Sequence, residues 1–331
     1  MERMRILTGD RTTGRLHLGH LAGSLMNRVR LQEEYETFIL LADVQALTTH
    51  YQNPELMCES IYQVALDNLA AGLDPERVTF IQQSRVAAIA ELTVFYSMLV
   101  SLNVLRHNPT IKTEARQYGY NDLTYGFVGY PVSQAADITF CDADLVPVGE
   151  DQLPHMELAR KIARRFNELY GCEKVLIKVP RELLGDTPRL PGLDGNSKMG
   201  KSLGNAVYIA DDADVVKGKI HSAVTDTNRI SVSDRGNPDI CTVYAYHGAF
   251  NAAEQEGIAM MCRGAQIGCV ACKNRLAQKL NGLLDPMRER RAHYENNKET
   301  VREMILAGSE KANRIGEETM ERVRSAMRLT L

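Results

Sequence analysis

The sequence predicts an α/β protein in which a Rossmann-type parallel sheet is followed by a C-terminal all-helical domain. Two observations predict it: strand-like and helix-like segments alternate through the first half of the chain, and strand patterns fade beyond about residue 210. The chain has 331 residues, of which 44% are hydrophobic and 24% charged, and this is enough for two domains. We therefore expect one domain at residues 1–208 and a helical domain at residues 209–331.

Short apolar runs in the first half have the composition of buried parallel strands, and the segments between them have helical spacing. The strand patterns are RMRILTG (residues 3–9), TFILLAD (37–43) and RVTFIQQS (77–84). Predicted helices cover residues 20–35, begin at Pro54, and cover residues 86–102. This alternation is typical of a parallel sheet wrapped by helices.

The alternation resumes after a polar, tyrosine-rich stretch at residues 107–127. DLVPVGED (144–151) and KVLIKVP (174–180) are predicted strands, and the helix between them has Leu158, Ile162, Phe166 and Leu169 on one face. The Gly- and Pro-rich stretch at residues 185–205 predicts loops. Further helices are predicted at residues 211–224, 252–262, 267–284, 286–307 and 309–328.

Composition restricts the compartment and the partners. The stretch MERMRILTGDRTTG lacks the apolar segment of a signal peptide, and no apolar run approaches a membrane span, so we expect a cytoplasmic protein with no membrane partner. A formal net charge of −3 means that a nucleic-acid partner would be held by local basic patches. Seven cysteines, an odd number, favour free thiols, catalysis or metal ligation over a disulfide framework.

The first stretch with candidate chemistry is GDRTTGRLHLGH, residues 9–20, between a predicted strand and a predicted helix. His17 and His20 can face the same side, and Gly19 between them lets a ligand approach the backbone. The free N–H groups and positive dipole end of the helix suit a phosphate chain. Histidines near a helix start can also be structural or metal-binding, but the glycine-rich strand–helix context favours a nucleotide site.

The second stretch is SKMGKS, residues 197–202, in which Lys198 and Lys201 are flanked by glycines. Such a segment can be no more than an exposed basic loop. Two lysines that close over a polyphosphate would neutralise charge as pyrophosphate departs. A Walker P-loop would need a GxxxxGK[ST] run into a helix, and the sequence does not have that run.

Together these loops resemble the signatures of class I aminoacyl-tRNA synthetases, HLGH (17–20) being similar to "HIGH" and KMGKS (198–202) to "KMSKS". GYPVSQAADI (129–138) and PVGEDQLPHMEL (147–158) resemble the amino-acid pocket of the tryptophanyl-tRNA synthetase family in particular. The resemblance runs from about residue 5 to about residue 327. Small nucleotidyltransferases share an HxGH turn but are much shorter and lack the second loop, so they are the weaker alternative.

The resemblance implies a tryptophan–tRNA ligase, which converts L-tryptophan and ATP to tryptophanyl-adenylate and pyrophosphate and then acylates the 3′ end of tRNA(Trp). Asp137 matches the family residue that accepts a hydrogen bond from the indole N–H. A site built around a polar handle rejects analogues that lack it by ~10⁴-fold or more. The other residues implied for tryptophan binding are Leu7, Tyr130, Gln134, Val146, Val148 and Gln152.

The resemblance also assigns the catalytic and ATP-binding residues. His17 and His20 would hold phosphate and ribose oxygens, and Lys198 and Lys201 would stabilise the leaving pyrophosphate. Mg²⁺ would travel with ATP, so we expect no all-protein cage for it. Lys112 is a further candidate phosphate ligand. The residues implied for ATP binding are Arg11, Thr12, Thr13, Gly19, His20, Gly149, Glu150, Asp151, Leu190, Lys198, Met199, Gly200, Lys201 and Ser202.

Two positions depart from the commoner family pattern. Gly200 replaces the serine of KMSKS, which removes a hydroxyl and loosens the loop. Gln45, in LADVQALTTHY, stands where many relatives have histidine, so the contact of this position with the amino acid is open. Neither change removes a group that the chemistry requires.

Cys241, Cys262, Cys269 and Cys272 form the pattern C-x20-C-x6-C-x2-C in the predicted helical domain. A structural zinc site usually has two paired motifs, and only one CxxC pair is present. CVAC lies among helices and away from both loops, which argues against a thioredoxin-like redox pair. Some tryptophanyl-tRNA synthetases have nearly this spacing around a [4Fe–4S] cluster, for which four thiolates are the right ligand set. The resemblance therefore implies a [4Fe–4S] cluster first, zinc second and four unmetallated thiols third.

The family also implies a homodimer whose helical domain meets the tRNA anticodon. Two alternatives stay open, a non-catalytic paralogue that binds RNA or protein and an enzyme that activates tyrosine. The intact HLGH loop, both lysines of KMGKS and Asp137 argue against the first of these.

Overall fold

The computed structural model describes residues 3–149, 152–172, 174–184, 190–196, 199–200 and 203–330. Within these residues, five parallel strands form one sheet in the order β3-β2-β1-β4-β5. The strands are β1 (Arg5–Arg11), β2 (Glu36–Ala42), β3 (Val78–Gln82), β4 (Leu145–Val148) and β5 (Arg181–Leu184). The chain therefore moves outwards from the central β1 to β3, and returns to the other side of β1 with β4.

Helices connect the strands and cover both faces of the sheet. The first, α1 (Leu18–His20), continues through a π-helical segment at Leu21–Leu25 into α2 (Met26–Leu31). The others in this half are α3 (Asp43–His50), α4 (Glu55–Ala71), α5 (Ala87–Ser97), α6 (Leu102–Arg106), α7 (Pro109–Tyr118), α8 (Tyr125–Thr139) and α9 (Leu153–Tyr170). The tyrosine-rich stretch at 107–127 thus holds α7 and the start of α8.

Each face of the sheet has its own apolar cluster. Phe38 and Leu40 of β2 point into one cluster, and Ile39 and Leu41 point into the other. This alternation follows from the two-residue period of a strand. A strand that is buried on both faces must be apolar at nearly every position, which explains the continuous run TFILLA.

The second half of the chain is helical in its described residues. Its helices are α10 (Ala213–Ser222), α11 (Thr242–Phe250), α12 (Ala252–Arg263), α13 (Cys269–Glu295) and α14 (Lys298–Ala326). The α14 helix returns to the sheet: a Cβ on Gly308 would lie 2.1 Å from Phe80 O in β3, and Gln82 N–H donates to Ser309 Oγ at 3.0 Å. Glycine at position 308 is therefore required by a close helix–strand contact.

The predicted fold class is confirmed, because a parallel Rossmann-type sheet is followed by helices. The division at residues 208 and 209 stays a prediction, since α14 packs on the sheet of the first half. None of the described helices is long and apolar enough to cross a membrane.

One predicted strand and two predicted helix breaks are wrong. Residues 174–180 are not a strand, and β5 begins at Arg181, because the Asn167 side chain bonds the main chain of Leu176 and Ile177 at 2.8–3.0 Å. The breaks predicted near residues 285 and 308 are also absent from the described helices. Pro286 lies inside α13, where the buried Leu284 and Met287 flank it and pack the helix against the core, and Gly308 serves close packing rather than a turn.

Candidate active site

The carboxyl ends of the strands meet at one edge of the sheet, and the segments that follow them contain the candidate residues. The chain leaves β1 through Arg11, Thr12 and Thr13. The strand β1 lies between β2 and β4. The chain runs from β1 to β2 on one side, and the later strand β4 lies on the other side. In open α/β sheets, ligands bind at such a switch point.

The HLGH loop begins α1 with a reciprocal cap between its two histidines. Gly19 N–H donates to His17 Nδ1 at 3.1 Å, and His17 N–H donates to His20 Nδ1 at 3.2 Å. The centroids of the two imidazole rings lie 3.9 Å apart. A Cβ on Gly19 would lie 2.9 Å from the His17 ring, so this arrangement requires glycine.

Main-chain hydrogen bonds join the HLGH loop to the segment that follows the second loop. Leu18 N–H donates to Val207 O at 2.9 Å, and Ile209 N–H donates to Leu16 O at 3.1 Å. These bonds flank an antiparallel bridge between His17 and Tyr208. Two segments that are distant in sequence therefore lie side by side.

Met199 and Gly200 are the described residues of KMGKS. The Met199 Sδ lies 3.7 Å from the position of a Cβ on Gly19, and Gly200 N–H donates to Asn205 Oδ1 at 2.9 Å. Met199 and Leu190 are buried in one apolar cluster with Leu18. The remaining predicted residues of this region, Glu150, Asp151, Lys198, Lys201 and Ser202, lie outside the described residues.

Asp137 is buried on α8, with 2% of its surface exposed. Its Oδ1 accepts a hydrogen bond from Gln83 Nε2 at 2.7 Å, and Gln83 Oε1 accepts one from Gln45 N–H at 3.0 Å. Burial raises the pKa of Asp137 from 3.8 to about 7; the hydrogen bond from Gln83 opposes this rise, and the Asp43 carboxylate adds to it. Below about pH 7 this carboxyl group therefore tends to hold a proton.

Tyr130 lies two helical turns before Asp137 on the same side of α8. Its hydroxyl is 3.4 Å from His155 Nε2 on α9. Burial and the nearby Glu114 carboxylate raise the pKa of Tyr130. The phenol therefore stays protonated and can donate a hydrogen bond to a ligand.

Arg11, at the end of β1, reaches towards the helices on this side of the sheet. Its Nη2 donates to Thr49 Oγ1 at 2.8 Å, and its Nη1 lies 3.6 Å from Glu114 Oε1. This places a guanidinium beside the carboxylate that also faces Tyr130. The cation and the phenol are thus close to each other at the predicted substrate position.

Four buried polar atoms in this region have no hydrogen-bond partner among the described residues. They are Arg11 Nε, Thr12 Oγ1, Glu114 Oε2 and Gln134 Oε1. Leaving a buried donor or acceptor without a partner costs ~1–3 kcal/mol, so such atoms rarely gather by chance. Their grouping around the end of β1 and the helices α7 and α8 indicates a pocket that a polar ligand completes.

The apolar residues predicted for the pocket lie together. Leu7, Tyr130 and Val146 are buried in one cluster, and Val148 packs against it. Because β1 pairs with β4 at Ile6 and Leu145, the next residues in both strands point to the same face. After β4 the chain turns at Gly149, whose carbonyl accepts from Gln152 N–H at 3.0 Å.

Sequence reasoning missed four residues of this region: Thr49, Gln83, Glu114 and His155. Glu114 and His155 could have been predicted, since they lie in TIKTEAR and DQLPHMEL near Lys112 and Gln152. Gln83 follows β3 in FIQQS, and the only available signal was its place after a predicted strand. Lys112 lies on the exposed side of α7, and no described contact links it to the pocket.

The four cysteines of the C-x20-C-x6-C-x2-C pattern gather at the ends of three helices. Cys241 precedes α11, Cys262 lies near the end of α12, and Cys269 and Cys272 lie in the first turn of α13. Burial, together with the neighbouring Cys241, Cys262 and Cys269, raises the pKa of Cys272 to about 12. The four thiols therefore lie close enough to influence one another.

Polar neighbours surround this group. Arg229 Nη1 lies 3.7 Å from Cys262 Sγ, and His247 Nε2 lies 3.5 Å from Cys272 Sγ. In the part of the chain that the structure describes, no three His, Cys, Asp or Glu side chains form a group that could hold a metal ion. The predicted ligands are gathered in one region, but their present arrangement is not that of a single-ion site.

Comparison with known proteins agrees with this geometry. The family described as class I tRNA synthetases (W and Y) matches residues 1–285. A tryptophan–tRNA ligase of Lactococcus lactis is 46% identical over 99% of this chain and 98% of that protein. A tryptophan–tRNA ligase of Clostridium longisporum is 46% identical over 97% of this chain and 96% of its own length.

Solved structures give the same result. A tryptophanyl-tRNA synthetase of Campylobacter jejuni, crystallised with ADP and tryptophan, has a TM-score of 0.84 and 27% identity over 98% of this chain and 99% of that chain. A tryptophanyl-tRNA synthetase of Mycoplasma pneumoniae shares the fold, with a TM-score of 0.82. The family and the type of enzyme inferred from the sequence are confirmed. The chain belongs to the class I tRNA synthetases, in the tryptophan branch of the tryptophan and tyrosine family.

Proposed function

We propose that the chain activates L-tryptophan with ATP and transfers it to the 3′ end of tRNA(Trp). The observation that carries the proposal is Asp137, a buried carboxylate held by Gln83 at 2.7 Å on the pocket side of α8. Indole is apolar except for one N–H, so a selective pocket needs apolar walls and one well-placed acceptor. Asp137 supplies the acceptor, and the cluster around Leu7 and Val146 supplies the walls.

The polar end of tryptophan would meet the atoms that have no partner in the described residues. The Gln134 side chain and the Tyr130 hydroxyl can bond the substrate's polar groups, and Gln152 follows β4 at the same edge. Arg11 places positive charge where the carboxylate would lie. A charged hydrogen bond of this kind orients the nucleophile as well as binding it.

ATP would bind across the HLGH loop. His17 and His20 would contact phosphate and ribose oxygens, Thr12 and Thr13 would contact the nucleotide after β1, and Leu190 would lie against the adenine. Lys198 and Lys201 would stabilise the leaving pyrophosphate. The other residues proposed for ATP are Gly19, Gly149, Glu150, Asp151, Met199, Gly200 and Ser202. Mg²⁺ enters with ATP and neutralises charge on its phosphates.

In the first step a carboxylate oxygen of tryptophan attacks the α-phosphorus in line. The bond to the bridging oxygen of the β-phosphate breaks, and pyrophosphate leaves. In the second step a terminal ribose hydroxyl of tRNA attacks the acyl carbon, loses its proton, and AMP leaves. Neither step needs a protein nucleophile, so the chain's residues act by alignment, which can supply ~7–11 kcal/mol of the barrier.

The test is ATP–pyrophosphate exchange with tryptophan, with tyrosine, and with no amino acid. We expect exchange with tryptophan alone, followed by charging of a tRNA(Trp) transcript. Exchange that prefers tyrosine would overturn the substrate assignment. A non-catalytic RNA- or protein-binding paralogue would show no exchange with either amino acid.

We further propose that Cys241, Cys262, Cys269 and Cys272 bind a [4Fe–4S] cluster, with zinc as the second candidate. Three of these cysteines lie at helix N-termini, whose positive dipole ends would offset part of the negative charge of a thiolate-ligated cluster. Four thiolates are the usual ligand set of such a cluster, and Arg229 would offset part of their charge. Any metal group there is structural in this proposal.

Anaerobic purification followed by iron, zinc and acid-labile sulfide analysis separates the candidates. About four irons and four sulfides per chain would support the cluster. A colourless protein with stoichiometric zinc would replace it with the second candidate.

The last part of the proposal concerns the oligomeric state of the protein and its cellular compartment. We propose a cytoplasmic homodimer with a tRNA-binding helical domain at residues 209–331 and a catalytic domain at residues 1–208. Val94, Met98, Leu102 and Val104 on α5 and α6 are each at least half exposed, and this apolar surface supports pairing with a second copy. Sedimentation of the wild type and of Met98→Glu tests it, since the variant should be monomeric.

A further inference from the structure

Two adjacent buried residues of α4 hold the ends of the segment that leads into the HLGH loop. Leu16 N–H donates to Asp67 Oδ2 at 2.6 Å, directly before His17. Asn68 Nδ2 donates to Asp10 Oδ2 at 3.2 Å, at the end of β1. Asp67 and Asn68 are both fully buried. These two side chains of α4 therefore fix the position of the loop.

The counter-charge of Asp67 comes from the second half of the chain. The Arg291 guanidinium, on α13, donates through Nη1 to Asp67 Oδ1 and through Nη2 to Gln63 Oε1. Arg291 is 4% exposed, and its Nη2 also lies 3.1 Å from Glu295 Oε1. The other buried pair near the loop, Arg28 and Asp10, is formed within the first half.

This arrangement makes the loop depend on α13. A buried carboxylate without a nearby cation is strongly disfavoured, so the Arg291 guanidinium stabilises the Asp67 carboxylate at this position. The ionised oxygen is also the acceptor for Leu16 N–H, and a charged acceptor binds a main-chain N–H more tightly than a neutral one. If α13 moved away, this acceptor would lose the guanidinium beside it.

We propose that Asp67 and Arg291 are a positioning pair that couples the docking of α13 to the placement of the HLGH loop for ATP. The inference rests on the proposed role of that loop in ATP binding. The same helix begins at Cys269 and Cys272, roughly 30 Å from Arg291 at 1.5 Å per residue. Events at the cysteine end of α13 would therefore reach the ATP site through this pair.

The test compares Arg291→Gln, Asp67→Asn and the double variant with a matched control. Arg290→Gln is that control, because Arg290 Nε donates to a main-chain group of the same helix α4, Ala70 O. We expect Arg291→Gln and Asp67→Asn each to raise the KM for ATP about tenfold, with the KM for tryptophan changed less than twofold. The double variant, a neutral pair with hydrogen-bonding groups on both sides, should recover part of the loss.

Hydrogen exchange provides a readout that does not depend on activity. The Leu16 amide should exchange faster in Arg291→Gln than in the wild type or in Arg290→Gln, while thermal unfolding shows that all three proteins are folded. The proposal would be overturned if Arg291→Gln had the same KM for ATP as the wild type and its Leu16 amide exchanged at the same rate. A wild type without tryptophan-dependent exchange would overturn the proposed function, while the Leu16 result would still decide whether Arg291 holds the loop.

Discussion

Gln83 donates a hydrogen bond to Asp137 at 2.7 Å, and this contact joins the end of β3 to the pocket side of α8. The other end of the Gln83 amide accepts from Gln45 N–H, so the side chain is fixed at both ends. Asp137 is the proposed acceptor for indole, and Gln83 fixes the direction in which its carboxylate points. Five predictions test the pocket, the cysteine site and the core.

Replacing Gln83 with methionine should weaken tryptophan binding. The change removes a donor to a buried carboxylate, so we expect the KM for tryptophan to rise about tenfold. Without the donor the pKa of Asp137 rises above its value of about 7, and the pH below which the KM for tryptophan increases should move upwards. Exchange kinetics between pH 6 and 9 measure both effects.

Gln82→Met is the control for this prediction. The Gln82 amide bonds Asp43 Oδ2 at 2.9 Å and lies next to Gln83 without contacting Asp137. A similar rise in the KM for tryptophan in both variants would show that Gln83 has no special relation to Asp137.

Asp137→Asn should stabilise the protein in the absence of ligand, in a pH-dependent way. The folded pKa of about 7 lies above the ordinary value of 3.8, so the folded wild type binds a proton more tightly than the unfolded chain. Its stability is therefore complete at low pH and falls as pH rises from about 4 through about 7. The resulting decrease in the free energy of unfolding is at most about 4 kcal/mol.

Urea unfolding of both proteins at pH 5 and pH 8 measures this difference. The advantage of Asp137→Asn in free energy of unfolding should be larger at pH 8. A constant difference at the two pH values would mean that Asp137 titrates normally, and tryptophan-dependent exchange should fall in the variant at both.

Thr12→Val should weaken ATP binding without lowering the stability of the protein. Thr12 is fully buried, and its hydroxyl has no hydrogen-bond partner among the described residues. Valine has nearly the same shape, so removing a buried hydroxyl without a partner should leave stability unchanged or raise it by about 1 kcal/mol. The KM for ATP should rise about tenfold, because the proposed ligand contact is lost.

Thr139→Val shows what the same substitution does to a satisfied hydroxyl. Thr139 Oγ1 is 2.8 Å from both the Tyr96 hydroxyl and Ala135 O, so valine should lower the melting temperature and leave the KM for ATP unchanged. A loss of stability in Thr12→Val as large as that in Thr139→Val would contradict the idea that the Thr12 hydroxyl awaits a ligand.

Cys272→Ser should remove the metal group without abolishing amino-acid activation. Cys272 lies in the first turn of α13 beside the other cysteines of the group, and its loss leaves three thiols. We expect iron and sulfide to fall to background, while tryptophan-dependent exchange stays within twofold of the wild type. Cys58→Ser, at an exposed cysteine, should keep the full metal content.

Gly308→Ala should destabilise the contact between α14 and β3. The added Cβ would lie 2.1 Å from Phe80 O, so helix and strand must separate, at a cost of about 1–3 kcal/mol. Gly282→Ala is the control, since no atom lies within 4 Å of its Cβ position on α13. That substitution should raise stability by about 1 kcal/mol, as replacement of an interior helical glycine normally does. Thermal unfolding of the two variants should therefore shift in opposite directions.

The sequence predicted those parts of the site that lie within one motif. Asp137 and Tyr130 share the stretch GYPVSQAADI, and His17 and His20 share four consecutive residues. Strands such as TFILLA were also evident, because a strand buried on both faces is apolar throughout.

Contacts between distant segments were not predictable in the same way. Gln83 reaches Asp137 only because the fold brings the segment after β3 against α8, and no local pattern encodes that contact. Pro286 and Gly308 were read as breaks because local propensity disfavours both in helices, whereas tertiary packing decides their conformation. The strand predicted at KVLIKVP failed for a related reason, since the Asn167 side chain takes the main-chain groups that a ladder would use.

The return of α14 to β3 has a consequence for synthesis on the ribosome. Phe80 is fully buried, and residues 298–326 cover this side of the sheet only after the rest of the described chain has been made. Until then the nascent sheet exposes an apolar face, which is where chaperones bind and where nascent chains aggregate. We therefore expect the active site to form late in translation, when α14 has left the exit tunnel, although the residues that line it are mostly among the first to be synthesised.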